Sequence, residues 1–486
     1  MMSKAESVLQ RSHAAYQSYR KCSGRTKASF LEAIAAGIET DAASILSLAM
    51  GETALPEPRL AGEVARTCNQ LRQFSAMLKD GSWVEARIDT AQPERAPLPK
   101  PDIRKMNMPL GPVVVFGASN FPLAYSTAGV DTASALAAGC TVVLKAHPAH
   151  PKTSARVAAI IASAAAGSGL AEDVFIHVEE SGFEIGKQLV QHPLTKAVGF
   201  TGSFSGGKAL YDYAQQRPDP IPVFSEMGSI NPVFILPAAA AARSEQLATL
   251  YAASITLSVG QFCTNPGLLL GIKGPELDAF AQTLAEKIKA VAPGTMLHAG
   301  IADAYGKKRR DALRQKGVTM LGESAAVPAE GQAVATLAKV SGADFLANPG
   351  LGEEVFGPYS LLVEAEDFAE LETIARTLPG QLTGTLLADE GDAARVASLA
   401  DILADRVGRL IMNGVPTGVE VCPSMHHGGP FPATTDSRFS SVGTDAVRRF
   451  VRPVSFQNMP ESMLPPELHL DNPLGIWRLV NNEWKR

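Results

Sequence analysis

Hydrophobic and polar positions in the first eighty residues alternate at helical spacing. Apolar side chains recur every three or four positions in residues 27–54 and 56–81, with charged side chains between them. This spacing collects the apolar side chains on one face and predicts a run of amphipathic helices. A proline-rich segment, 89–102, then interrupts the pattern. Because proline cannot donate a backbone hydrogen bond to a central strand, we expect this segment to form an exposed arm or an edge hairpin.

From residue 111 onward, short β-branched runs alternate with helical stretches. Four predicted strands lie in GPVVVFGAS at 111–119, TVVLKA at 141–146, VFIHV at 174–178 and TKAVGFTGS at 195–203. Strands separated by helices of about ten to fifteen residues favour a parallel sheet covered on both faces, in a doubly wound nucleotide-binding arrangement. A second α/β unit is expected up to about residue 424, with strands in GLLLGI at 267–272, VTMLG at 318–322, YSLLVEA at 359–365 and GTLLAD at 384–389.

Composition narrows the class of protein. A length of 486 residues exceeds what one hydrophobic core usually serves, so two or more packed units are expected. With 19% charged residues and a net charge of −5, the chain has no basic footprint for nucleic acid. Residues 1–21 lack an apolar signal region, no apolar run is long enough to span a membrane, and the five cysteines are widely spaced. We expect a cytoplasmic protein with free thiols, neither secreted nor membrane-spanning.

A glycine-rich turn at 202–208, GSFSGGK, matches part of a phosphate loop and follows a predicted strand. The next residue is Ala209, where a magnesium-dependent phosphate loop needs a hydroxyl, so an NTPase is disfavoured. The turn still suits a phosphate or dinucleotide bound without magnesium, or a plain strand-to-helix turn. No G-x-G-x-x-G follows any predicted strand.

Two residues are candidates for chemistry. Cys263 lies in SVGQFCTNPG, among turn-forming and polar residues typical of a partly exposed loop, although a lone intracellular cysteine is more often a small buried hydrophobe. Glu226 ends a short apolar run and precedes a glycine. It could serve as a general base near a nucleophile, or it could be an ordinary solvated turn acid. The sequence alone does not bring the two together.

Six segments, in their order and spacing, resemble the aldehyde dehydrogenase superfamily over nearly the whole chain. They are GASNFPL at 117–123, VVLKAHP at 142–148, GFTGS at 199–203, EMGSINP at 226–232, GQFCTNPG at 260–267 and EEVFGP at 353–358. The resemblance implies an α/β fold with a doubly wound coenzyme domain that lacks the glycine fingerprint, a second α/β catalytic domain and a small oligomerisation arm. The implied ranges are a coenzyme domain at 1–225 with the arm at 89–102, a catalytic domain at 226–424, a return to the coenzyme domain at 425–455, and an oligomerisation segment at 456–486.

The resemblance also implies roles for individual residues. Cys263 resembles the nucleophile that forms a thiohemiacetal with the aldehyde, and the amide of Asn120 resembles a donor to its oxyanion. Glu226 resembles the base that activates water to hydrolyse the later thioester. In the coenzyme site, Lys145 resembles the residue that binds the adenosine ribose. The remaining implied contacts are those of Gly202 and Ser203 near the coenzyme phosphates, and of Glu354 and Phe356 with the nicotinamide ribose and ring.

One departure from the family pattern bears on the coenzyme. Many NAD-preferring members have a glutamate three residues after the lysine, where it repels a 2′-phosphate, and this chain has Pro148 there. With Lys145 retained and Lys208 in the following helix, the resemblance favours NADP, with NAD tolerated.

A closer resemblance is to a subgroup of α-ketoglutaric semialdehyde (2,5-dioxopentanoate) dehydrogenases and NADP-linked fatty aldehyde dehydrogenases. It rests on segments 117–151, 416–443 and 472–484. It implies that His427 approaches Cys263, although His427 could equally be a structural loop residue, and Arg438 is a candidate partner for a substrate carboxylate. We expect a small aldehyde substrate and a homodimer or homotetramer. The alternatives are a long-chain fatty aldehyde, acyl transfer to coenzyme A, which retention of Glu226 disfavours, and a non-catalytic protein on the same fold.

Overall fold

The computed structural model describes residues 3–486. Its helices are α1 Lys4–Tyr19, α2 Gly24–Thr40, α3 Ala42–Glu52, α4 Glu57–Asp80, α5 Val130–Ala138, α6 Pro151–Gly167, α7 Phe183–Gln191, α8 Phe204–Gln215, α9 Pro237–Thr256, α10 Pro275–Lys289, α11 Ala299–Leu313, α12 Gly342–Ala347, α13 Phe368–Thr377 and α14 Ala393–Ala404. Its strands are β1 Arg87–Asp89, β2 Ile103–Pro109, β3 Val113–Phe116, β4 Val142–Lys145, β5 Phe175–Val178, β6 Ala197–Thr201, β7 Val223–Glu226, β8 Val233–Ile235, β9 Leu268–Ile272, β10 Gly294–Thr295, β11 Thr319–Glu323, β12 Gln332–Ala333, β13 Thr336–Ser341, β14 Tyr359–Ala365, β15 Gln381–Leu387, β16 Val407–Met412, β17 Val451–Gln457, β18 Arg478–Val480 and β19 Glu483–Lys485.

The amphipathic run at the amino-terminal end forms α1 to α4, which confirms the prediction of successive helices. Helix α2 begins after Ser23, whose hydroxyl accepts a hydrogen bond from the backbone N–H of Thr26. Its apolar face, which includes Phe30 and Ile34, is fully buried in the same core as Phe74 of α4. Helix α4 therefore has one face fixed in this core, and this position matters for the active site below.

The predicted doubly wound sheet is present as five parallel strands in the order β5-β4-β3-β6-β7. All four strands expected from the sequence are confirmed, and β7 adds a fifth. The strand order reverses direction between β3 and β6. In sheets of this kind, ligands bind outside the carboxyl ends of the strands at such a switch point.

The second α/β unit contains a seven-stranded sheet in the order β11-β13-β14-β9-β8-β15-β16. Only β11, at one edge, runs antiparallel to its neighbour. The four strands predicted here are confirmed, whereas β8, β13 and β16 were not predicted from the sequence.

The remaining larger sheet joins the proline-rich segment and the tail. Its order is β17-β2-β1-β18-β19, and the segment that connects the antiparallel strands β1 and β2 is exposed at residues 91–99. The expectation of an edge hairpin is wrong, because β1 and β2 each pair with a strand on both sides. The tail packs here through β18, which runs parallel to β1.

Within residues 3–486, no single helix is long and apolar enough to cross a membrane, although α2 and α3, bent by 71° relative to each other, satisfy the length and composition criteria as a pair.

Candidate active site

Four strands of the first sheet deliver candidate residues to the same edge. Strand β3 leads into the segment that contains Asn120, β4 ends at Lys145, β6 ends at Thr201 and β7 ends at Glu226. Because these strands are parallel, their carboxyl ends meet at one edge of the sheet. The fold therefore gathers residues that are up to about a hundred positions apart in the chain.

A cavity of about 600 Å³ opens at this edge and extends to the second α/β unit. Seven of the residues singled out from the sequence line it: Asn120, Gly202, Ser203, Glu226, Cys263, Glu354 and Phe356. Neighbouring lining residues include Tyr125, Thr201 and His298, which the sequence did not mark. Its volume lies within the range of cavities that bind small molecules or cofactors.

Cys263 lies on a loop whose backbone is held by close contacts. Gly260 has φ +65°, and a Cβ there would lie 2.3 Å from the carbonyl carbon of Gly357, so only glycine fits. The side-chain amide of Asn231 donates to the carbonyl oxygens of Cys263 at 2.9 Å and Asn265 at 2.8 Å. The thiol is consequently presented to the cavity from a fixed backbone.

Glu226, His427 and Cys263 form a compact cluster. His427 Nε2 lies 3.1 Å from Glu226 Oε1 and 3.7 Å from Cys263 Sγ. The hydroxyl of Ser441 donates to the other carboxylate oxygen, Glu226 Oε2, at 2.6 Å. One ligating atom from each of the three clustered residues lies within 4.8 Å of the other two. A carboxylate, an imidazole and a thiol in this arrangement can pass a proton among themselves.

The pKa values in this cluster are shifted in opposite directions. Burial would raise the pKa of Glu226, but His427 and the hydrogen bonds from Ser441 and Cys263 lower that pKa to about 2. Burial raises the pKa of the Cys263 thiol well above its ordinary value, and the neighbouring Glu226 carboxylate raises it further. At neutral pH the cluster therefore contains an ionised carboxylate beside a protonated thiol. The thiol proton must move before sulfur attacks, and Glu226 and His427 lie within reach of it.

Asn120 lines the same cavity as Cys263. Its side-chain Nδ2 donates to the carbonyl of Gln261 at 3.2 Å, which holds the amide beside the Cys263 loop. The carbonyl of Asn120 accepts from Arg59, whose guanidinium lies 4.5 Å and 4.6 Å from the ring centroids of Phe121 and Phe262. Arg59 is also paired with Glu63 at 3.1 Å. The amide is thus fixed before any substrate binds, as an oxyanion donor must be.

The coenzyme side of the cavity contains groups suited to a dinucleotide. Ser203 caps the amino terminus of α8 through a hydrogen bond from Gly206, and a helix N-terminus favours a phosphate. Thr201 Oγ1 is buried without a hydrogen-bond partner within residues 3–486. Gly228 has φ +115°, and a Cβ there would lie 2.7 Å from Glu354 Oε2. This close approach lets the backbone N–H of Ser229 donate to Glu354 at 3.3 Å.

Glu354 is half-buried in this wall. Burial raises its pKa to about 7, and the N–H of Ser229 and the charge of Lys308 act against that shift. The carboxyl group therefore titrates near neutrality and can accept or donate a hydrogen bond to a sugar hydroxyl. Lys308 reaches the same segment by donating to the backbone carbonyl of Glu354 at 2.8 Å.

Five residues singled out from the sequence do not line the cavity. One is His427, which contacts Glu226 and Cys263 from outside it, and the other four are described next. Lys145 ends β4, is half-buried and has no hydrogen-bond or ion-pair partner for Nζ within residues 3–486, and Pro148 is exposed nearby. Lys208 is held by Asp212, at 2.7 Å to each carboxylate oxygen. Arg438 is 79% exposed and paired with Asp436 at 2.6 Å.

The aldehyde dehydrogenase family model matches residues 2–430. The chain belongs to the aldehyde dehydrogenase family. Aldehyde dehydrogenases are enzymes that use NAD or NADP.

Two curated relatives are similar over almost the whole chain. An α-ketoglutaric semialdehyde dehydrogenase 2 of Azospirillum brasilense is 49% identical over 465 residues, 96% of this chain and 89% of the relative. An α-ketoglutaric semialdehyde dehydrogenase of Acinetobacter baylyi is 46% identical over 480 residues, 98% of this chain and 91% of the relative. Among solved structures, betaine aldehyde dehydrogenase of Staphylococcus aureus in complex with NAD⁺ matches with a TM-score of 0.79 at 19% identity, covering 94% of this chain and 88% of that one. This last likeness confirms the expected fold.

Some residues of the site carry no local signal in the sequence. Ser441 is one of these, and it contacts Glu226 from 215 positions away. His427, which the subgroup resemblance singled out, contacts Cys263 from 164 positions away. They reach the site because residues 442–450 return to the core formed by the amino-terminal helices and the first sheet. Asn231 lay within a quoted motif, EMGSINP, but its role in holding the Cys263 loop becomes visible only in the structure.

Proposed function

We propose that this aldehyde dehydrogenase oxidises 2,5-dioxopentanoate, an α-ketoglutaric semialdehyde, to 2-oxoglutarate through a thioester on Cys263. The observation that supports the chemistry most strongly is the contact of Cys263 Sγ with His427 Nε2 and, through it, with Glu226. The substrate is supported by the names of the two relatives at 49% and 46% identity, both α-ketoglutaric semialdehyde dehydrogenases.

The first step is attack of the Cys263 sulfur on the aldehyde carbon. The thiol proton passes to His427, whose Nε2 lies 3.7 Å from the sulfur, and this leaves Glu226 ionised for the later hydrolysis. As the carbonyl oxygen becomes negative, the amide of Asn120 and the backbone N–H of Cys263 donate to it. These donors are most effective because the surrounding side chains already fix them.

The coenzyme would be held by groups in and beside the cavity. Ser203 and the N-terminus of α8 would bind the phosphates, Lys145 would bind the adenosine ribose, and Glu354 and Phe356 would position the nicotinamide ribose and ring. When bound, the oxidised coenzyme would act as the hydride acceptor for the carbon attached to sulfur, and loss of that hydride leaves a thioester.

Hydrolysis of the thioester then needs a base for water. Glu226 is the candidate because its carboxylate is ionised and lies within reach of Cys263. Ser441 holds one carboxylate oxygen and His427 the other, so water must displace one of these contacts to be activated. Retention of this base favours release of a free acid over transfer to coenzyme A.

The preferred coenzyme is proposed to be NADP, with NAD tolerated. Two features support this preference: Pro148 supplies no carboxylate to repel a 2′-phosphate, and Lys145 Nζ is unpaired within residues 3–486. Lys208 can contribute only if its pair with Asp212 opens.

Initial rates of reduced-coenzyme formation test this proposal. Purified protein is supplied with 2,5-dioxopentanoate or a long-chain aldehyde, each with NAD and with NADP. We expect the highest kcat/KM for 2,5-dioxopentanoate with NADP. Preference for the long chain would reassign the enzyme to fatty aldehydes, and preference for NAD would contradict the role given to Pro148. Absence of turnover in protein that still binds coenzyme would support a non-catalytic role.

A homodimer or homotetramer is also proposed, through the arm at 89–102 and the segment 456–486. The sheet to which both segments belong has β19 as one of its edge strands. The outer edge of β19 has no partner strand within residues 3–486 and could pair with another chain. Large apolar side chains are exposed on these segments, namely Leu98, Met459, Met463, Leu470, Leu474, Trp477 and Trp484. Light scattering should give the mass of two or four chains, and Trp484→Glu should lower it; a monomeric wild type would contradict the proposal.

The proposed domains are a coenzyme domain at 1–225, a catalytic domain at 226–424 and a return to the coenzyme domain at 425–455. The division is supported by the separate sheets at 113–226 and 233–412. A cytoplasmic location is proposed because all five cysteines are free thiols. Limited proteolysis near residues 225 and 424, and fractionation of the source cells, would test these two assignments.

A further inference from the structure

An arginine that the catalytic steps do not use lies behind one wall of the cavity near Cys263. Arg66 projects from α4, and its Nη2 donates to the hydroxyl of Tyr125 at 2.9 Å. Its guanidinium carbon lies 5.2 Å from the ring centroid of Tyr125 and 6.0 Å from that of Phe121. Both aromatic side chains line the same cavity as Cys263. Arg66 therefore lies directly behind the cavity wall that faces the thiol.

A second arginine, Arg409, lies on the sheet that packs against the Cys263 loop. Arg409 in β16 lies opposite Thr383 in β15, so their side chains share one face of the sheet. Thr383 donates to Asn231 at 2.9 Å, and Asn231 in turn holds the carbonyl of Cys263. This face of the sheet is consequently the one turned toward the Cys263 loop.

The guanidinium of Arg409 is only partly satisfied by the protein. Its Nη2 donates to the carbonyl of Pro416 at 2.6 Å and its Nη1 to that of Gly418 at 3.2 Å. Its Nε is buried without a hydrogen-bond partner within residues 3–486. Arg409 thus fixes the loop between β16 and His427 while keeping a positive charge beneath it.

Neither guanidinium is neutralised by a carboxylate in residues 3–486. Both charges still act at the site. Burial raises the pKa of Cys263, and the positive charge of Arg66 opposes that shift. Burial lowers the pKa of Arg409, and this second shift is opposed by Cys263 and Tyr125. Partly buried positive charges without a partner are costly unless a ligand supplies the opposite charge.

We propose that Arg66, with the hydroxyl of Tyr125 and the second positive charge of Arg409, binds the carboxylate of a short aldehyde whose reacting carbon lies at Cys263. The inference rests on the proposed function and names its substrate-binding residues. In 2,5-dioxopentanoate the aldehyde and carboxylate carbons are about 5 Å apart when the chain is extended. An arginine fork suits a carboxylate, and a neutral aldehyde of equal length would leave these groups unpaired.

Other arginines near the site are already occupied or remote. Arg59 is paired with Glu63 and also donates to the carbonyl of Asn120 and the hydroxyl of Ser258. Arg438, the candidate from the sequence, is exposed and paired with Asp436. Arg66 keeps more of its donors free than Arg59 and, unlike Arg438, contacts a residue that lines the cavity.

The test compares 5-oxopentanoate with pentanal, two aldehydes of equal length that differ in the carboxylate. Wild type should prefer 5-oxopentanoate in kcat/KM. Arg66→Gln should reduce kcat/KM for 5-oxopentanoate by about tenfold to a hundredfold, chiefly through KM, and change that for pentanal by less than about threefold. Arg66→Lys should recover part of the loss because it restores the charge without the fork.

Arg72→Gln is the matched control, since Arg72 lies on the same helix and pairs with Glu39 at 2.6 Å on the surface. Equal loss for both aldehydes in Arg66→Gln would overturn the proposal in favour of a structural role. No change for either, or a wild type without preference for 5-oxopentanoate, would overturn it as well. If wild type ignores 2,5-dioxopentanoate yet prefers 5-oxopentanoate to pentanal, the proposed function fails while the carboxylate site stands.

Discussion

Replacing Cys263 with alanine should lower aldehyde oxidation by about 10⁴-fold or more, while coenzyme binding stays within about twofold of wild type. The thiol is the group on the fixed loop that can form a covalent bond to the aldehyde carbon. Neither Glu226 nor His427 can replace it, because the hydride must leave a carbon already attached to sulfur. Reduced-coenzyme absorbance measures the first effect and titration calorimetry with the coenzyme measures the second.

The control for this variant is Cys22→Ala. Cys22 follows α1, far from the cavity in the fold, and should tolerate alanine with activity unchanged. Turnover in Cys263→Ala above about a hundredth of wild type would exclude Cys263 as the nucleophile. Loss of coenzyme binding together with turnover would instead indicate a damaged fold.

Glu226→Gln should separate the two halves of the reaction. Glutamine keeps the shape and can still contact Ser441 and His427, but it cannot take a proton from water. We expect a burst of reduced coenzyme close to one per active site, followed by a steady-state rate about a hundredfold to ten-thousandfold lower. Rapid-mixing absorbance measurements record both phases.

Glu353→Gln provides the matched control, because Glu353 is exposed beside Glu354 and should leave both phases unchanged. Equal slowing of the burst and the steady state would point to a different role for Glu226. Because Glu226 lies in one cluster with Cys263 and His427, such a result would mean that Glu226 removes the proton from Cys263. His427 would then be the base for water.

Much of the fold could be predicted because local patterns carry it. The β-branched runs of β3, β4, β5 and β6 are short, apolar and bounded by helices, and each was identified. Strand β16 was missed because it lies at a sheet edge and is only half-buried, so it lacks a continuous apolar run. Lys339 interrupts the apolar run of β13, where its amine pairs with Glu364 on the neighbouring strand.

The site was predicted in part, through motifs that the chain keeps intact. Cys263, Glu226 and Asn120 came from short segments, and the fold places all three at one cavity. Ser441, Arg66 and Arg409 could not be found in this way, because each acts through a contact between segments far apart in the chain. Arg438 was a candidate partner for a substrate carboxylate because it lies in segment 416–443. The sequence did not show that its guanidinium pairs with Asp436, two residues away.

The most direct test of the covalent mechanism is the mass of the Glu226→Gln variant. The variant is mixed with 2,5-dioxopentanoate and NADP, quenched in acid during the burst, and digested for mass spectrometry. The mechanism predicts a mass increase equal to one 2-oxoglutaryl group on the peptide that contains Cys263. A variant that reduces coenzyme in a burst while this peptide stays unmodified would contradict the account.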